Sequence, residues 1–333
     1  MVFRLGLTHD FKKPDGSLGW GDIGLSSLAE YPEITWDFLP DYGDEVAPEV
    51  VDDYDALLVN ALRVTARTLS RPGRLKLIAR FGVGYDSVDV AACTKAGVLL
   101  TNTPDGVRRP VAVGTLTLML AATHNVMAKD HLTRSGRWKD KLDYMGFGLT
   151  GKLVGIIGLG NIGQEFVKVT KPLDMKYQAY DPYVTSDVAA SVGVSLVDLR
   201  TLMATSDIVC VLAPLTPETK HLLGAQEIAL MKPTAYLINL ARGAIVDQSA
   251  LTEALSAHRI RGAGLDVFET EPPDPKDPIF LLDNVVVAPH AVAWTDELAL
   301  GMGHSALRAV IDVAQGHRPA HIVNPEVEVA GKS

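Results

Sequence analysis

An α/β fold with two doubly wound parallel sheets is predicted by three observations. Short β-type runs alternate with helical stretches along almost the whole chain, and each pair of runs is separated by enough residues for a crossover. The runs fall into two series, one ending before residue 81 and one beginning at Leu153. The length of 333 residues fits two domains of about 100–200 residues each.

In the first series VFRLGLT, ITWDF, ALLVN and KLIAR read as strands, being short apolar runs bounded by turn residues. The longest charge-free stretch, residues 111–128, is shorter than the about 20 residues of a membrane span. Thr115, Thr117, Thr123, His124 and Asn125 interrupt it, so a buried helix is expected there. The second series runs LVGIIG, KYQAY, IVCVLA, AYLINL, GAGLDV and VVVAPH. After it comes the helical pattern DELALGMGHSALRAVIDVAQG, expected to pack back on the first unit. Residues 101–110 and 288–295 join the two series, each contains a proline, and both are candidate hinge loops.

Composition narrows the function. Hydrophobic residues at 47% and charged residues at 21% exclude a disordered or collagen-like chain. Lys plus Arg total 31 against 40 Asp plus Glu, a net charge of −9, which argues against a nucleic-acid or anionic-membrane surface. Any anion must therefore be held locally. Cys93 and Cys210 lie far apart without metal or redox spacing, and they read as core thiols of a reducing, cytoplasmic compartment. The start, MVFRLGLTHD, has a strand pattern and lacks the basic head and apolar run of a leader. His317 and His321 flank Pro319, so they share no helix face, and no metal is expected.

The most specific motif is GIIGLGNIG. Gly158-x-Gly160-x-x-Gly163 follows an apolar strand and opens a helix with Asn161 and Ile162. The first glycine allows a tight turn, the second lets a pyrophosphate approach the backbone, and the third lets helix and strand pack closely. The N–H groups and dipole of the helix N-terminus then face the phosphates. Asp181 closes the next strand 18 residues after Gly163, where its carboxylate can accept from ribose hydroxyls and repel a 2′-phosphate. A Rossmann unit that prefers NAD to NADP is expected.

Arg242 ends the run INLARGAIVD, Glu271 lies in LDVFETEPP, and His290 ends VVVAPH. All three follow strand C-terminal ends, where open parallel sheets bind ligands. Taken singly, they also read as a surface arginine, a solvated loop acid and a structural histidine. Together they are what hydride transfer to a 2-oxo acid requires. A guanidinium can hold the carboxylate and polarise the carbonyl, an imidazolium can give a proton to the oxygen, and a carboxylate can orient the imidazole.

Arg-Gly after an apolar strand, Asp266 five residues before Glu271, and Pro289-His290 followed by Thr295 resemble the signature of the D-isomer-specific 2-hydroxyacid dehydrogenases. The resemblance covers roughly residues 50–300 and includes ARFGVGYDSVDV, similar to the family's substrate-carboxylate loop. It implies catalytic roles for Arg242, Glu271 and His290, and substrate binding through Val83, Gly84, Arg242 and His290. It also implies NAD contacts from Pro214, Ala241, Asp266 and His290 beside those of the glycine turn. A discontinuous flavodoxin-like substrate domain (1–103 and 296–333), a Rossmann NAD-binding domain (104–295) and a homodimer made through residues 111–128 follow from the same likeness. The implied activity is reduction of a small 2-oxo acid, glyoxylate- or hydroxypyruvate-like, to its D-2-hydroxy acid.

This sequence departs from the family in places. Val113 stands where an acidic residue is usual, and Val59-Asn60 stands where phosphoglycerate members carry Arg-Ser. The latter weakens the alternative reading as a D-3-phosphoglycerate dehydrogenase, as does an end at Ser333 without a regulatory domain. Arg108-Arg109 is a candidate for a second anionic group, with a solvated surface pair as the plainer reading. Trp294 and Trp138 are candidate pocket walls, and Trp138 resembles a residue that reaches the partner's site. Glutamate at 271 counts against a formate dehydrogenase, which has glutamine there. An alternative of another class is an NAD(H)-sensing interaction protein similar to the corepressors that keep this fold.

Overall fold

The computed structural model describes residues 2–71 and 73–328. The chain divides into two compact units, 1–107 with 294–333, and 108–293. The expected segments 1–103 and 296–333 also take in residues 1, 72 and 329–333, which lie outside the described residues.

The first unit holds a five-stranded parallel sheet: β1 (Phe3–Leu7), β2 (Ile34–Phe38), β3 (Ala56–Val59), β4 (Leu77–Arg80) and β5 (Leu99–Thr101). Their spatial order is β2-β1-β3-β4-β5, the flavodoxin-like order. All four residues of β3 are buried, because a parallel strand covered on both faces must be apolar throughout. β5 escapes sequence reading because three residues carry no period. It follows the helix Val90–Ala96, which Asp89 caps by accepting from Ala92 N–H and which Gly97 ends in the left-handed conformation. The chain end belongs to this unit. Thr295 caps the helix Asp296–Ala314, and beyond it Val323 N–H donates to Leu100 O at 2.8 Å while Leu100 N–H donates to Asn324 Oδ1 at 2.8 Å.

The second unit holds β6 (Leu153–Ile157), β7 (Lys176–Tyr180), β8 (Ser195–Leu196), β9 (Ile208–Val211), β10 (Tyr236–Asn239), β11 (Gly262–Leu265) and β12 (Val285–Val287). They lie parallel in the order β12-β11-β10-β9-β6-β7-β8. β6, the first strand of this unit, pairs with both β7 and β9, so the connections diverge there and open a crevice at the strand C-termini. The sheet is doubly wound with the Rossmann order, as expected.

Two expectations on the segment between the sheets are corrected. Residues 101–110 are not a loop, because Pro104 opens a helix that runs to Thr123; proline suits the first helical position, where its missing N–H is not needed. Residues 111–128 are not one buried helix. The left-handed backbone at Asn125 (φ 52°) ends the run, and the helix Val126–Arg134 leaves at 58°. One face is buried through Ala112, Leu118, Met119 and Ala122, whereas Val113, Val126 and Met127 are exposed. The threonines fit because Thr115, Thr117 and Thr123 hydroxyls donate to the carbonyls four residues back. Among the described residues no single helix is long and apolar enough to cross a membrane.

Candidate active site

The glycine turn follows β6 in the second unit. Gly158 has φ +92°, which strains a residue with a side chain, and a Cβ there would strike the Ala213 backbone. A Cβ on Gly163 would strike the Gly158 carbonyl, so helix Asn161–Thr170 approaches its strand only through glycine. Around Gly160 the space is open. The residues therefore fit a dinucleotide: an open backbone cradle meets a helix N-terminus whose first N–H groups have no partner within the helix.

Asp181, just past β7, accepts from Leu159 N–H at 2.8 Å through Oδ2, and from Tyr183 and Val184 N–H at 2.9 and 3.2 Å through Oδ1. A carboxylate has about four acceptor sites, so these bonds fix Asp181 against the turn and leave capacity for a ribose hydroxyl. Pro214 is exposed on the loop after β9, and its carbonyl accepts from the Thr219 hydroxyl at 2.7 Å.

Arg242, Glu271 and His290 follow three adjacent strands, β10, β11 and β12. His290 Nδ1 lies 2.7 Å from Glu271 Oε2, and Glu271 Oε1 accepts from Phe268 N–H at 3.0 Å. Burial pushes the Glu271 carboxyl up. The His290 bond and charge, the Phe268 N–H and the Arg242 guanidinium outweigh it and hold the carboxyl below its ordinary value. Arg242 is half-buried, and its Nη1 donates to Ala241 O at 2.8 Å.

His290 has a left-handed backbone (φ 54°), uncommon for a residue with a side chain. Asp266 holds it there. The Asp266 carbonyl accepts from His290 N–H at 2.7 Å, and its carboxylate accepts from Ala291 and Val292 N–H at 2.8 and 3.2 Å. Burial raises the Asp266 carboxyl above its ordinary value against the lowering effect of those N–H groups. Asp266 is thus an anchor of the His290 turn in addition to the nicotinamide contact that the family likeness implies.

Two residues that support this arrangement lie outside the motifs that the sequence offers. Asn239, 1% exposed at the end of β10, accepts from Ala241 N–H and donates to Arg242 O, both at 3.0 Å. A polar residue closing an apolar run is the available clue. Gly243 lies against the Phe268 carbonyl, where any Cβ would overlap it. That contact sets Arg242 beside the loop that carries Glu271.

Other candidates fall elsewhere. Arg109 pairs with Glu165 at 3.0 Å, which gives it a structural partner, and Arg108 is exposed. Trp138 is exposed on the segment Trp138–Tyr144. Val83 and Gly84 belong to the first unit, in the turn after β4. There Asn102 Nδ2 donates to Val83 O at 3.0 Å, and Gly82 N–H donates to the Thr103 hydroxyl at 2.9 Å. Cys93 and Cys210 are both buried free thiols, each pushed up in pKa chiefly by burial, Cys93 to about 12. Among the described residues no group of three or more His, Cys, Asp or Glu side chains forms a candidate metal site.

The chain matches the model of the D-isomer-specific 2-hydroxyacid dehydrogenase NAD-binding domain over residues 116–292. It is 40% identical over 280 residues to the D-3-phosphoglycerate dehydrogenase of Archaeoglobus fulgidus, covering 84% of this chain but only 53% of that protein. The chain thus spans about half the length of that relative. It is also 40% identical over 286 residues to the glyoxylate reductase of Thermococcus litoralis, covering 84% of this chain and 86% of that one. Its fold superposes on a crystal structure of a Thermus thermophilus protein with a TM-score of 0.85 at 30% identity, over 96% of this chain and 100% of the other. With the glycine turn, the acid after β7, and an arginine, a glutamate and a histidine after adjacent strands, the chain belongs to the D-isomer-specific 2-hydroxyacid dehydrogenase family and carries that family's NAD-binding domain.

Proposed function

We propose that the protein is an NAD-dependent D-2-hydroxyacid dehydrogenase that reduces a small 2-oxo acid, glyoxylate- or hydroxypyruvate-like, at C2. The observation that carries this reading is the Glu271–His290 pair at 2.7 Å, with Arg242 close enough for its charge to act on the same carboxyl. The glyoxylate reductase relative, matched over most of both chains, supports the substrate class. The D-3-phosphoglycerate dehydrogenase relative keeps a phosphorylated substrate as the second reading, against which stands Val59-Asn60.

The cofactor supplies the hydride. Gly158, Gly160, Asn161, Ile162 and Gly163 would take its phosphates, Asp181 its adenosine ribose, and Pro214, Ala241 and Asp266 its nicotinamide end. Arg242 would bind the substrate carboxylate and draw charge towards the carbonyl oxygen, and for Val83 and Gly84 N–H in the first unit carboxylate binding is what the family likeness implies. His290, its Nδ1 bound to Glu271, presents Nε2 as the proton donor. Nε2 would give its proton to the C2 oxygen, leaving a neutral imidazole on the protein and a hydroxyl at C2. In the reverse direction the same nitrogen accepts the hydroxyl proton.

We infer a homodimer in the cytoplasm. Exposed Val126, Met127, Trp138, Leu142 and Met145 give one segment an apolar surface that a second copy would cover. Two buried thiols agree with a reducing compartment.

The test is NADH consumption against glyoxylate, hydroxypyruvate, pyruvate, oxaloacetate and phosphohydroxypyruvate, with NADPH in parallel. Turnover of the small unphosphorylated acids is expected. Binding of NADH with silence across the panel would favour a sensor role. Replacing Asp181 with alanine is expected to shrink the preference for NADH over NADPH by about tenfold or more, because one charged hydrogen-bond acceptor and its repulsion are removed together. The ratio of the two kcat/KM values measures it; an unchanged ratio would assign the ribose to another residue.

A further inference from the structure

The second unit holds another histidine–acid pair, on the same loop as Glu271. His221 Nε2 lies 2.5 Å from Glu269 Oε1, and both side chains are partly exposed. Glu269 stands two residues before Glu271, in the loop after β11. His221 belongs to the segment after β9 that also carries Pro214. Its backbone is left-handed (φ 51°), which is uncommon for a residue with a side chain.

Both ends of the pair are anchored. His221 N–H donates to Ala244 O at 2.8 Å and Leu223 N–H donates to Ile245 O at 3.1 Å, so the His221 segment runs along the turn that follows Arg242. Glu269 N–H donates to Gln248 Oε1 at 3.1 Å, and Gln248 Nε2 donates to Asp277 Oδ2 at 2.6 Å. The pair therefore links three segments of one unit, which carry Pro214, Arg242 and Glu271. An exposed ion pair by itself adds little to stability. Here the contact fixes the loop from which Glu271 hangs, where Phe268 N–H is the backbone donor to its carboxylate.

We propose that His221, acting through Glu269, is a positioning residue that holds Glu271 against His290 Nδ1. In this role it touches neither substrate nor cofactor. Without the tie the loop drifts, and Glu271 supports less positive charge on the imidazole. Glu269 faces His221, and Glu218 and Lys220 are exposed on its own segment; Glu271 and Asp266 act on His290, and Arg242 acts on Glu271. Reduction needs the protonated imidazole, so its rate falls as pH rises through that titration, and a weaker Glu271 contact moves the fall to lower pH. The inference rests on the dehydrogenase reading above and adds a residue to it.

The experiment follows the 2-oxo acid that the wild type reduces fastest with NADH, across the neutral range of pH, in the wild type, His221→Ala, His221→Gln and Glu269→Ala. Both alanine variants are expected to lose about tenfold to a hundredfold in kcat with KM little changed, and to lower the midpoint of the kcat/KM profile by about one pH unit. His221→Gln, whose amide can still donate to Glu269, is expected to recover most of the rate. In a Glu271→Gln background His221→Ala is expected to leave the midpoint where it is, because the effect passes through Glu271. A lowered urea midpoint with kcat and pH midpoint unchanged in both alanine variants would assign the pair to stability alone and overturn the proposal. A pH midpoint that still moves in the Glu271→Gln background would overturn it as well. A wild type that binds NADH yet reduces none of the 2-oxo acids would overturn the dehydrogenase reading and this inference with it.

Discussion

Changing His290 to alanine is expected to lower kcat by about a thousandfold, or about 4 kcal/mol in the barrier, while NADH binding stays close to that of the wild type. The imidazole is paired with Glu271 through Nδ1, and on the proposed reading its Nε2 is the proton donor that this change removes. The glycine turn proposed to take the cofactor's phosphates is untouched. Single-turnover absorbance of NADH measures the hydride step, and fluorescence titration measures binding. A variant that kept about a tenth of the wild-type rate would remove His290 from the proton-transfer role. Because Glu271 is held below its ordinary value, it stays ionised on the acid side of neutrality. Its contribution is present above the ordinary carboxyl pKa and is lost as pH falls through its depressed one. The pH profile of the wild type near neutrality therefore reports a group other than Glu271.

Most strands are legible because a parallel strand covered on both faces must be a short apolar run, as LVGII and IVCV are. β5 and β8, with three and two residues, are not, since so few positions define no pattern. The stretch 111–128 misleads for a related reason. Its apolarity says that one face is buried, while the direction of the chain is set by the left-handed residue Asn125, a single backbone torsion. Arg242, Glu271 and His290 are legible as residue types after strands. That they follow neighbouring strands is set by topology, because β10, β11 and β12 are both consecutive and adjacent, the commonest arrangement of sequential strands. The supporting contacts are hidden. Nothing in the letters NLARG states that Asn239 braces both sides of the turn or that Gly243 meets a carbonyl 25 residues further on.

Gly243 offers the sharper test of how the fold sets the chemistry. Its φ is not in the left-handed region, so alanine there meets no conformational objection. The objection is space, since the new Cβ would overlap the Phe268 carbonyl and approach Glu269 N. Either the turn holding Arg242 or the loop holding Glu271 must move, and Phe268 N–H is itself a donor to Glu271. Gly243→Ala is thus expected to cost about 1–3 kcal/mol of stability and about a hundredfold in kcat/KM, because a shift of about 1 Å at a reacting group has an effect of that size. Gly148→Ala is the control: nothing lies within 4 Å of its added Cβ, and the change is expected to stay within about 0.5 kcal/mol. Urea unfolding and steady-state kinetics on the two variants separate the outcomes. Loss of stability with normal kcat/KM would mean that the strain relaxes away from the charged groups. Loss of both would place the glycine after Arg242 among the residues that bring the arginine, the acid and the histidine to one point, through a contact that is purely steric.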